Sequence, residues 1–411
     1  MDDVTTGPGT PPPDGTAAGS LPLVGITVVS FEQAVSVPFC SRMLADMGAR
    51  VIKVEQRGIG DFTRHYDMAV KGMAAHFVWL NRNKESVTLD LKHPGAASVL
   101  DRLLSCADVV LQNLAPGAAK RLGIAAANVT ARYPTIVAVD VSGYGTGGPL
   151  DDKRAYDLLI QAESGACSIT GLPGAPAKSG PPMADLSTGM QALSAVLAAL
   201  LQRERTAVGT AIDIAMFDVM AEWMGFALQY TMHTGVERPP LGMETPIVAP
   251  YGAYPTSDGE LVVLGTTNDR EWDRLARRLL GRDDMADDRR YASNERRCEH
   301  RGEIDEAIAG WTRQRTLREV QSAADDAGIG NARYNTVRSV IDHPQLSDRG
   351  RWREVASPVG PLPTTVAPFT AAGWPPRLDP IPSLGADTDS VLASLGFSPQ
   401  DVVGLRAEGV V

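Results

Sequence analysis

The sequence has few cysteines, and their spacing suggests neither a disulfide framework nor a metal site. Cys40, Cys106, Cys167 and Cys298 lie far apart, and no CxxC pair occurs. This usage favours a reduced, cytoplasmic compartment. The six histidines form no HExxH motif and no evident pair, so we expect no metal.

Excess positive charge is also absent. The chain has 39 basic and 49 acidic residues, a formal net charge of -10. This balance excludes a basic nucleic-acid footprint and a polybasic membrane patch. The start of the chain lacks the basic and apolar regions of a signal peptide. The longest apolar run, Ala192–Leu201, is too short to span a bilayer, which takes about 20 residues.

Nucleotide-binding signatures are missing as well. No GxGxxG follows the first predicted strand, and no GxxxxGK[ST] occurs anywhere, which removes the main support for dinucleotide and P-loop sites. What remains is an ordinary globular composition, with 44% hydrophobic and 21% charged residues in 411. At roughly 100–200 residues per domain, this length predicts two or three domains.

Alternating strand and helix patterns predict an α/β fold with a mostly parallel sheet. Residues 1–20, rich in Gly, Pro and Thr, are expected to be a disordered tail. The predicted strands are Val24–Phe31, Val51–Glu55, Val109–Leu111 and Ile136–Val141, and the predicted helices include Pro38–Met47, Pro94–Ser105 and Met190–Gln202.

The pattern changes near residue 235. A Pro/Gly/Thr-rich stretch leads to a predicted strand, Leu261–Gly265, and two charged helices, Arg270–Leu280 and Glu303–Thr312. We therefore expect a large domain over 21–234, a small domain over 235–330 and a return to the large domain over 331–411, where a closing helix spans Thr388–Leu395.

Asp185 stands between a Pro/Gly-rich loop and a long apolar helix, the place of a helix N-cap. A cap alone would explain it. Alternatively, the helix dipole keeps this carboxylate anionic beside free amide donors, an arrangement suited to attack on a carbonyl group.

Several segments in order and spacing identify a resemblance. They are LPLVGITVVSF (21–31), LADMGARVIKVEQRGIGD (44–61), LNRNKESVTLDLK (80–92), ADVVLQNLAPGAAKRLG (107–123), SGYGTGGPL (142–150), YDLLIQAESG (156–165), MADLSTGMQALSAVLAALLQRE (183–204) and LGADTDSVLASLG (384–396). Together they resemble the class III CoA-transferase family (CaiB/BaiF type), which includes formyl-CoA transferase, carnitine and bile-acid CoA-transferases and α-methylacyl-CoA racemase.

The resemblance implies a Rossmann-like large domain built from both chain ends, a smaller inserted α+β domain, and two chains interlocked as a homodimer. The acyl group would lie in a cleft between the domains. Asp185 would be the nucleophile, forming aspartyl anhydride and aspartyl-CoA thioester intermediates. Acyl-CoA and a small carboxylate would be the substrates, with no tightly bound cofactor.

The resemblance also implies a CoA-binding cleft, with Arg57, Lys92, Arg121 and Arg154 suited to the phosphates. Its full set is Val35, Ser36, Gln56, Arg57, Leu89, Asp90, Leu91, Lys92, Gln112, Asn113, Leu114, Ala115, Arg121, Arg154, Tyr156 and Asp157.

Three departures bear on the activity. Tyr156 stands where the racemase branch has a histidine, and tyrosine is a poor acid/base group near neutral pH. The stretch 241–254 lacks the glycine run of formyl-CoA transferase, which argues against formyl-CoA and oxalate. Gln56 replaces a frequent arginine. Gln33 is a candidate contact to the acyl group, while His93 fits a loop before a helix.

Three functions therefore stay open. The first is CoA transfer from a donor such as succinyl-CoA to a small mono- or dicarboxylic acid. The second is a racemase or isomerase of branched acyl-CoA, and the third is a non-catalytic CoA-binding subunit of a heteromer. The sequence does not identify donor, acceptor or pathway.

Overall fold

The computed structural model describes residues 21–411, and the expected disordered tail at 1–20 lies outside the described residues. In the described part the strands are β1 (Thr27–Phe31), β2 (Arg50–Glu55), β3 (Lys84–Thr88), β4 (Val109–Gln112), β5 (Val137–Ser142), β6 (Gly171–Leu172), β7 (Ala175–Pro176), β8 (Ala211–Ala215), β9 (Tyr251–Pro255), β10 (Leu261–Gly265), β11 (Gly330–Arg333), β12 (Trp352–Val355) and β13 (Leu362–Thr365).

The helices of the same region follow in chain order. They are α1 (Ser36–Asp46), α2 (Ala75–Leu80), α3 (Ala96–Ser105), α4 (Ala118–Leu122), α5 (Ala126–Arg132), α6 (Asp157–Glu163), α7 (Met183–Thr206), α8 (Met216–Trp223), α9 (Gly225–Thr234), α10 (Asp269–Arg274), α11 (Asp283–Asp287), α12 (Asn294–Glu299), α13 (Arg301–Thr312), α14 (Leu317–Ala327), α15 (Val337–Ile341), α16 (Pro344–Asp348), α17 (Thr388–Ser394) and α18 (Pro399–Ala407). Short 3-10 turns cover Phe62–His65, Ala166–Ser168 and Arg289–Tyr291, and Leu275–Leu279 is π-helical.

The main sheet consists of parallel strands in the order β3-β2-β1-β4-β5-β8. Val28 of β1 pairs with Val51 on one side and Val109 on the other. The direction of strand succession reverses between β1 and β4, and ligands of such sheets bind outside the carboxyl ends of the strands at this point. The predicted α/β fold with a large parallel sheet is confirmed.

Helices cover both faces of this sheet, as expected for apolar parallel strands. Successive residues of a strand point to opposite faces. Val28 accordingly packs in one core with Leu44 of α1 and Val196 of α7. Its neighbour Val29 packs in a second core with Leu103 of α3 and Leu392 of α17.

Some predicted boundaries were wrong. The first strand begins at Thr27 and not at Val24, because residues 22–25 form a turn in which Gly25 has a φ of 93°. The second predicted helix begins at Ala96 rather than Pro94. Strand β3 and helix α18 were not predicted at all.

Internal contacts divide the described chain into two compact units. The first comprises residues up to Tyr156, Ala184–Val219 and Arg351–Val411, and the second comprises Asp157–Met183 and Met220–Gly350. The second unit holds the antiparallel sheet β11-β10-β9, and Trp272, Ile304 and Val320 belong to its apolar core. The domain limits expected from the sequence stay a prediction.

Helix α7 is long and apolar enough to cross a membrane by length and composition, and half of its most apolar window is buried inside the protein. Leu193, Val196 and Leu200 pack in the same core as Val28. Packing against the sheet therefore accounts for the hydrophobicity of this helix.

Candidate active site

Most residues expected to contact CoA follow the carboxyl ends of neighbouring strands. Val35 and Ser36 come after β1, and Gln56 and Arg57 after β2. Leu89–Lys92 follows β3, and Gln112–Ala115 spans the end of β4. Because these strands are parallel and adjacent, the structure brings the four segments to one edge of the sheet.

The side chains of Gln112 and Asn113 serve the loops themselves. Asn113 accepts the Gln33 N–H at 2.8 Å and donates Nδ2 to the Gln33 carbonyl at 2.8 Å. Gln112 donates to Asp140 at 2.8 Å and accepts the Leu114 N–H at 2.8 Å. Asn113 therefore holds the loops after β1 and β4 together, and Gln112 ties the loop after β4 to β5, positioning roles that the sequence did not indicate.

The four expected phosphate ligands are all exposed. Arg57 also donates Nε to the Val411 carbonyl at 3.0 Å, which ties the loop after β2 to the last residue of the chain. Arg121, in α4, folds back over Gly117, where an added Cβ would lie 2.7 Å from its guanidinium. Lys92 and Arg154 remain solvent-accessible cations.

Asp185 is not an N-cap, contrary to the expectation. Helix α7 begins at Met183, so Asp185 is its third residue and lies in the first turn. The helix starts earlier because Pro181 and Pro182 precede it directly, and proline is tolerated at a helix start. The carboxylate still lies at the positive end of the helix dipole.

Close packing ties Asp185 to the loop after β1. One turn further along the same face of α7, Gly189 approaches α1 so closely that an added Cβ would lie 2.5 Å from the Ser36 carbonyl oxygen. The second turn of α7 therefore lies against the first turn of α1, and Asp185 is one turn nearer the start of α7.

Tyr66 is a site residue that the sequence did not single out. Burial raises the pKa of its phenol, and the negative charges of Asp61 and Asp185 raise it further, with a smaller contribution from Tyr156. Tyr66 therefore lies within electrostatic reach of Asp185 and is a neutral hydrogen-bond donor at neutral pH.

A buried ionic network supports the same edge of the sheet. Lys53, fully buried in β2, donates to Glu32 at 3.1 Å and to Asp61 at 2.7 Å. Lys84 of β3 donates to Glu32 at 2.7 Å. Burial alone would raise the pKa of Glu32, but the ammonium charges of Lys53 and Lys84 outweigh it and lower that pKa well below the usual range.

The network reaches the backbone next to α1. The other oxygen of Asp61 accepts the N–H of Ala34 at 3.2 Å, and Ala34 has a φ of 62°, a conformation that L-residues seldom adopt. Because Asp61 bonds both Lys53 and Ala34, the network fixes the loop that leads into Val35 and Ser36. The signal available in the sequence was the charged pair Lys53 and Glu55 inside an otherwise apolar buried strand.

The remaining candidates are Asp157, Cys167 and His93. Asp157 begins α6 in the second unit, where its carboxylate accepts Gln161 Nε2 at 2.7 Å. Cys167 is half-buried, and burial raises the pKa of its thiol. His93 accepts the Gly95 N–H at 3.1 Å, which fits the loop interpretation. Among residues 21–411, no group of three or more His, Cys, Asp or Glu side chains could hold a metal ion.

Comparisons with known proteins agree on one family. The profile of CoA-transferase family III matches residues 23–388. The chain is 34% identical to the Succinate–glutarate CoA-transferase of Agrobacterium fabrum, over 91% of this chain and 96% of that protein. It is 32% identical to the Succinyl-CoA–D-citramalate CoA-transferase of Chloroflexus aurantiacus, over 95% and 98%. A crystal structure of a CaiB/BaiF family protein from Brucella suis superposes with a TM-score of 0.79 at 30% identity, covering 92% of this chain and 100% of that one.

Proposed function

The chain belongs to CoA-transferase family III, and we propose that it moves CoA from a donor acyl-CoA to a small carboxylic or dicarboxylic acid, with Asp185 as nucleophile. One observation carries the proposal. The first turn of α7 holds Asp185 beside the loop after β1, at the edge of the sheet where the expected CoA ligands of four strands meet.

The carboxylate of Asp185 attacks the thioester carbon of the donor, the C–S bond breaks, and CoA leaves as thiolate. The thiolate then attacks the aspartyl carbon of the resulting anhydride, giving an aspartyl-CoA thioester and the free donor acid. The acceptor carboxylate repeats these two steps in reverse order and leaves as its CoA thioester. Each step exchanges one activated acyl bond for another, so no outside energy source is needed.

The chain supplies groups for each end of the substrate. Arg57, Lys92, Arg121 and Arg154 are exposed cations that suit the phosphates of CoA. The first turn of α7 is the positive end of the helix dipole, which suits the negative charge that develops on the attacked carbonyl. Succinyl-CoA is the proposed donor, and dicarboxylates are the proposed acceptors, because relatives with these names span nearly the whole chain.

We also propose an interlocked homodimer in the cytoplasm, with the domain limits expected from the sequence. Large apolar side chains on and after helix α9 support the pairing, since Phe226, Met232 and Val236 are all more than half exposed. Analytical ultracentrifugation should give about twice the chain mass of 43.7 kDa, and a monomer at micromolar concentration would contradict the pairing.

Mass spectrometry of CoA products tests the transfer. The protein is incubated with succinyl-CoA and a pool of small acids, beside Asp185→Asn and the matched control Asp218→Ala, which removes a first-turn aspartate from another helix. We expect a new acyl-CoA from the wild type and from Asp218→Ala, and a loss of at least roughly 1,000-fold in Asp185→Asn. Equal product from Asp185→Asn would refute the nucleophile. Deuterium uptake at the α-carbon of branched acyl-CoA would instead show racemase chemistry.

A further inference from the structure

A row of aromatic rings in tilted and edge-on contact lies near the nucleophile. It runs from Phe39 of α1 through Trp79 and His76 of α2 to Tyr66, directly after the 3-10 turn, and Phe62 within that turn. The successive ring centroids are 5.9, 6.4, 5.6 and 6.0 Å apart. We call these five residues the aromatic row. Four of its members are apolar or neutral, and His76 alone can carry a positive charge.

Two members of the aromatic row, Phe39 and Tyr66, connect it to Asp185. An added Cβ on Gly189, one turn along α7 from Asp185, would lie 3.1 Å from Cδ1 of Phe39. Tyr66 lies within electrostatic reach of Asp185, because the charge of Asp185 contributes to the raised pKa of the Tyr66 phenol. The row therefore forms a wall along which an acyl chain bound to Asp185 can extend.

His76 has no hydrogen bond or ion pair within residues 21–411, whereas nearby cations are already used. Lys53 and Lys84 bind Glu32, Arg64 binds Glu55 at 2.8 Å, and Arg82 binds Asp46 at 2.7 Å. Lys71 is the exception, since it lies exposed at the tip of a turn with a φ of 50°. Within the aromatic row, the half-buried imidazole of His76 is therefore the polar group that remains available to a ligand.

Two titratable groups face His76. Tyr66 contacts it edge-on, and Asp67 lies within electrostatic reach while its carboxylate accepts the Ala75 N–H at the start of α2. The same carboxylate is too far away to form an ion pair with the ring.

We propose that His76 determines substrate specificity by pairing with the distal carboxylate of a dicarboxylic acyl group whose thioester end lies at Asp185. The methylene groups of the substrate pack on the aromatic row, and a ring N–H of His76 donates a hydrogen bond to the carboxylate at the far end. This inference rests on the proposed function, and it adds the residue that distinguishes a dicarboxylic from a monocarboxylic acyl-CoA.

The test compares succinyl-CoA with 4-methylpentanoyl-CoA, an uncharged donor of nearly the same shape. The variants are His76→Ala, His76→Gln and the matched control Lys71→Ala. In His76→Ala we expect the ratio of kcat/KM values, succinyl over 4-methylpentanoyl, to fall roughly 10- to 100-fold, mainly through KM for succinyl-CoA, the size of one charge-assisted hydrogen bond. His76→Gln should recover part of this ratio, and Lys71→Ala should keep it within about twofold.

An equal fall for both donors would overturn the inference, because it would mean that His76 only packs the wall. A comparable fall of the kcat/KM ratio in Lys71→Ala would also overturn the inference, because it would assign the specificity to Lys71. Calorimetric titration of both donors into the Asp185→Asn background gives a readout without turnover. If the wild type transfers CoA to no acid, the proposed function fails, whereas equal affinity for succinyl-CoA with and without His76 refutes the specificity role on its own.

Discussion

Replacing Lys53 by methionine should cost far more stability than removing an exposed ion pair of the same length. The ammonium of Lys53 and its partners Glu32 and Asp61 are all fully buried, with distances of 3.1 and 2.7 Å. Methionine fills a similar volume but leaves a buried carboxylate of Asp61 without its cation. Breaking one side of a buried pair costs about 3–5 kcal/mol.

Arg50→Gln is the matched control, since Arg50 and Glu85 are also 2.7 Å apart but 39% and 34% exposed. Solvent screening limits such a pair to about 0–1 kcal/mol. Urea unfolding followed by circular dichroism measures both variants through the shift in transition midpoint. The double variant Lys53→Met/Asp61→Asn should recover part of the loss, because the unpaired carboxylate is gone.

The pH dependence supplies a second check. The pKa of Glu32 lies below its unfolded value, so its contribution to stability is present above about pH 4.5 and is lost as pH falls through the folded value. Without Lys53 the pKa of Glu32 rises. The difference in unfolding free energy between Lys53→Met and the wild type should therefore narrow as pH falls below about 4.5. A loss under about 1 kcal/mol in Lys53→Met at pH 7, or a loss equal to that of Arg50→Gln, would refute the reasoning.

Two further predictions concern packing and CoA affinity. Gly189→Ala should lower stability and activity, because its Cβ would overlap the Ser36 carbonyl at 2.5 Å. The control Gly310→Ala lies in α13 with open space around it and should stabilise the protein by up to about 1 kcal/mol. Thermal unfolding of both variants measures the difference, and equal shifts in melting temperature would contradict the close contact. In steady-state kinetics, Arg57→Ala should raise KM for acyl-CoA roughly 10-fold with little change in kcat. The control Arg102→Ala should leave KM unchanged, although it also removes an arginine that donates to a backbone carbonyl, that of Leu395 at 2.8 Å.

The sequence predicted the strands whose own residues are apolar and β-branched, such as Val109 and Val110 in β4. It missed β3 because Lys84, Glu85 and Ser86 give that strand a polar pattern. Lys84 is buried there only because Glu32 of another chain segment pairs with it. A partner 52 residues away leaves no local periodic signal.

The same limit applies to the site. The resemblance pointed to Asp185, and strand ends grouped most of the expected CoA ligands at one edge. Tyr66 and His76 were missed because they lie between β2 and β3 in short elements, Tyr66 directly after a 3-10 turn and His76 in the six-residue helix α2. Such short elements show no hydrophobic period that tells which side chains face inward. The N-cap assignment failed by three residues, because α7 begins at Met183 and its N-cap position is therefore Pro182.

The helices that cover one face of the large sheet are synthesised long after its strands. The face of the sheet that carries Val29 is partly covered by α17 and α18, through Leu392 and Val402. About 245 residues separate the end of β5 from the start of α17. At a synthesis rate of roughly 5–20 residues per second, those helices emerge about 12–50 s after the strands they cover. During that interval part of an apolar parallel sheet faces water, so chaperone supply and translation speed should govern the yield of soluble enzyme.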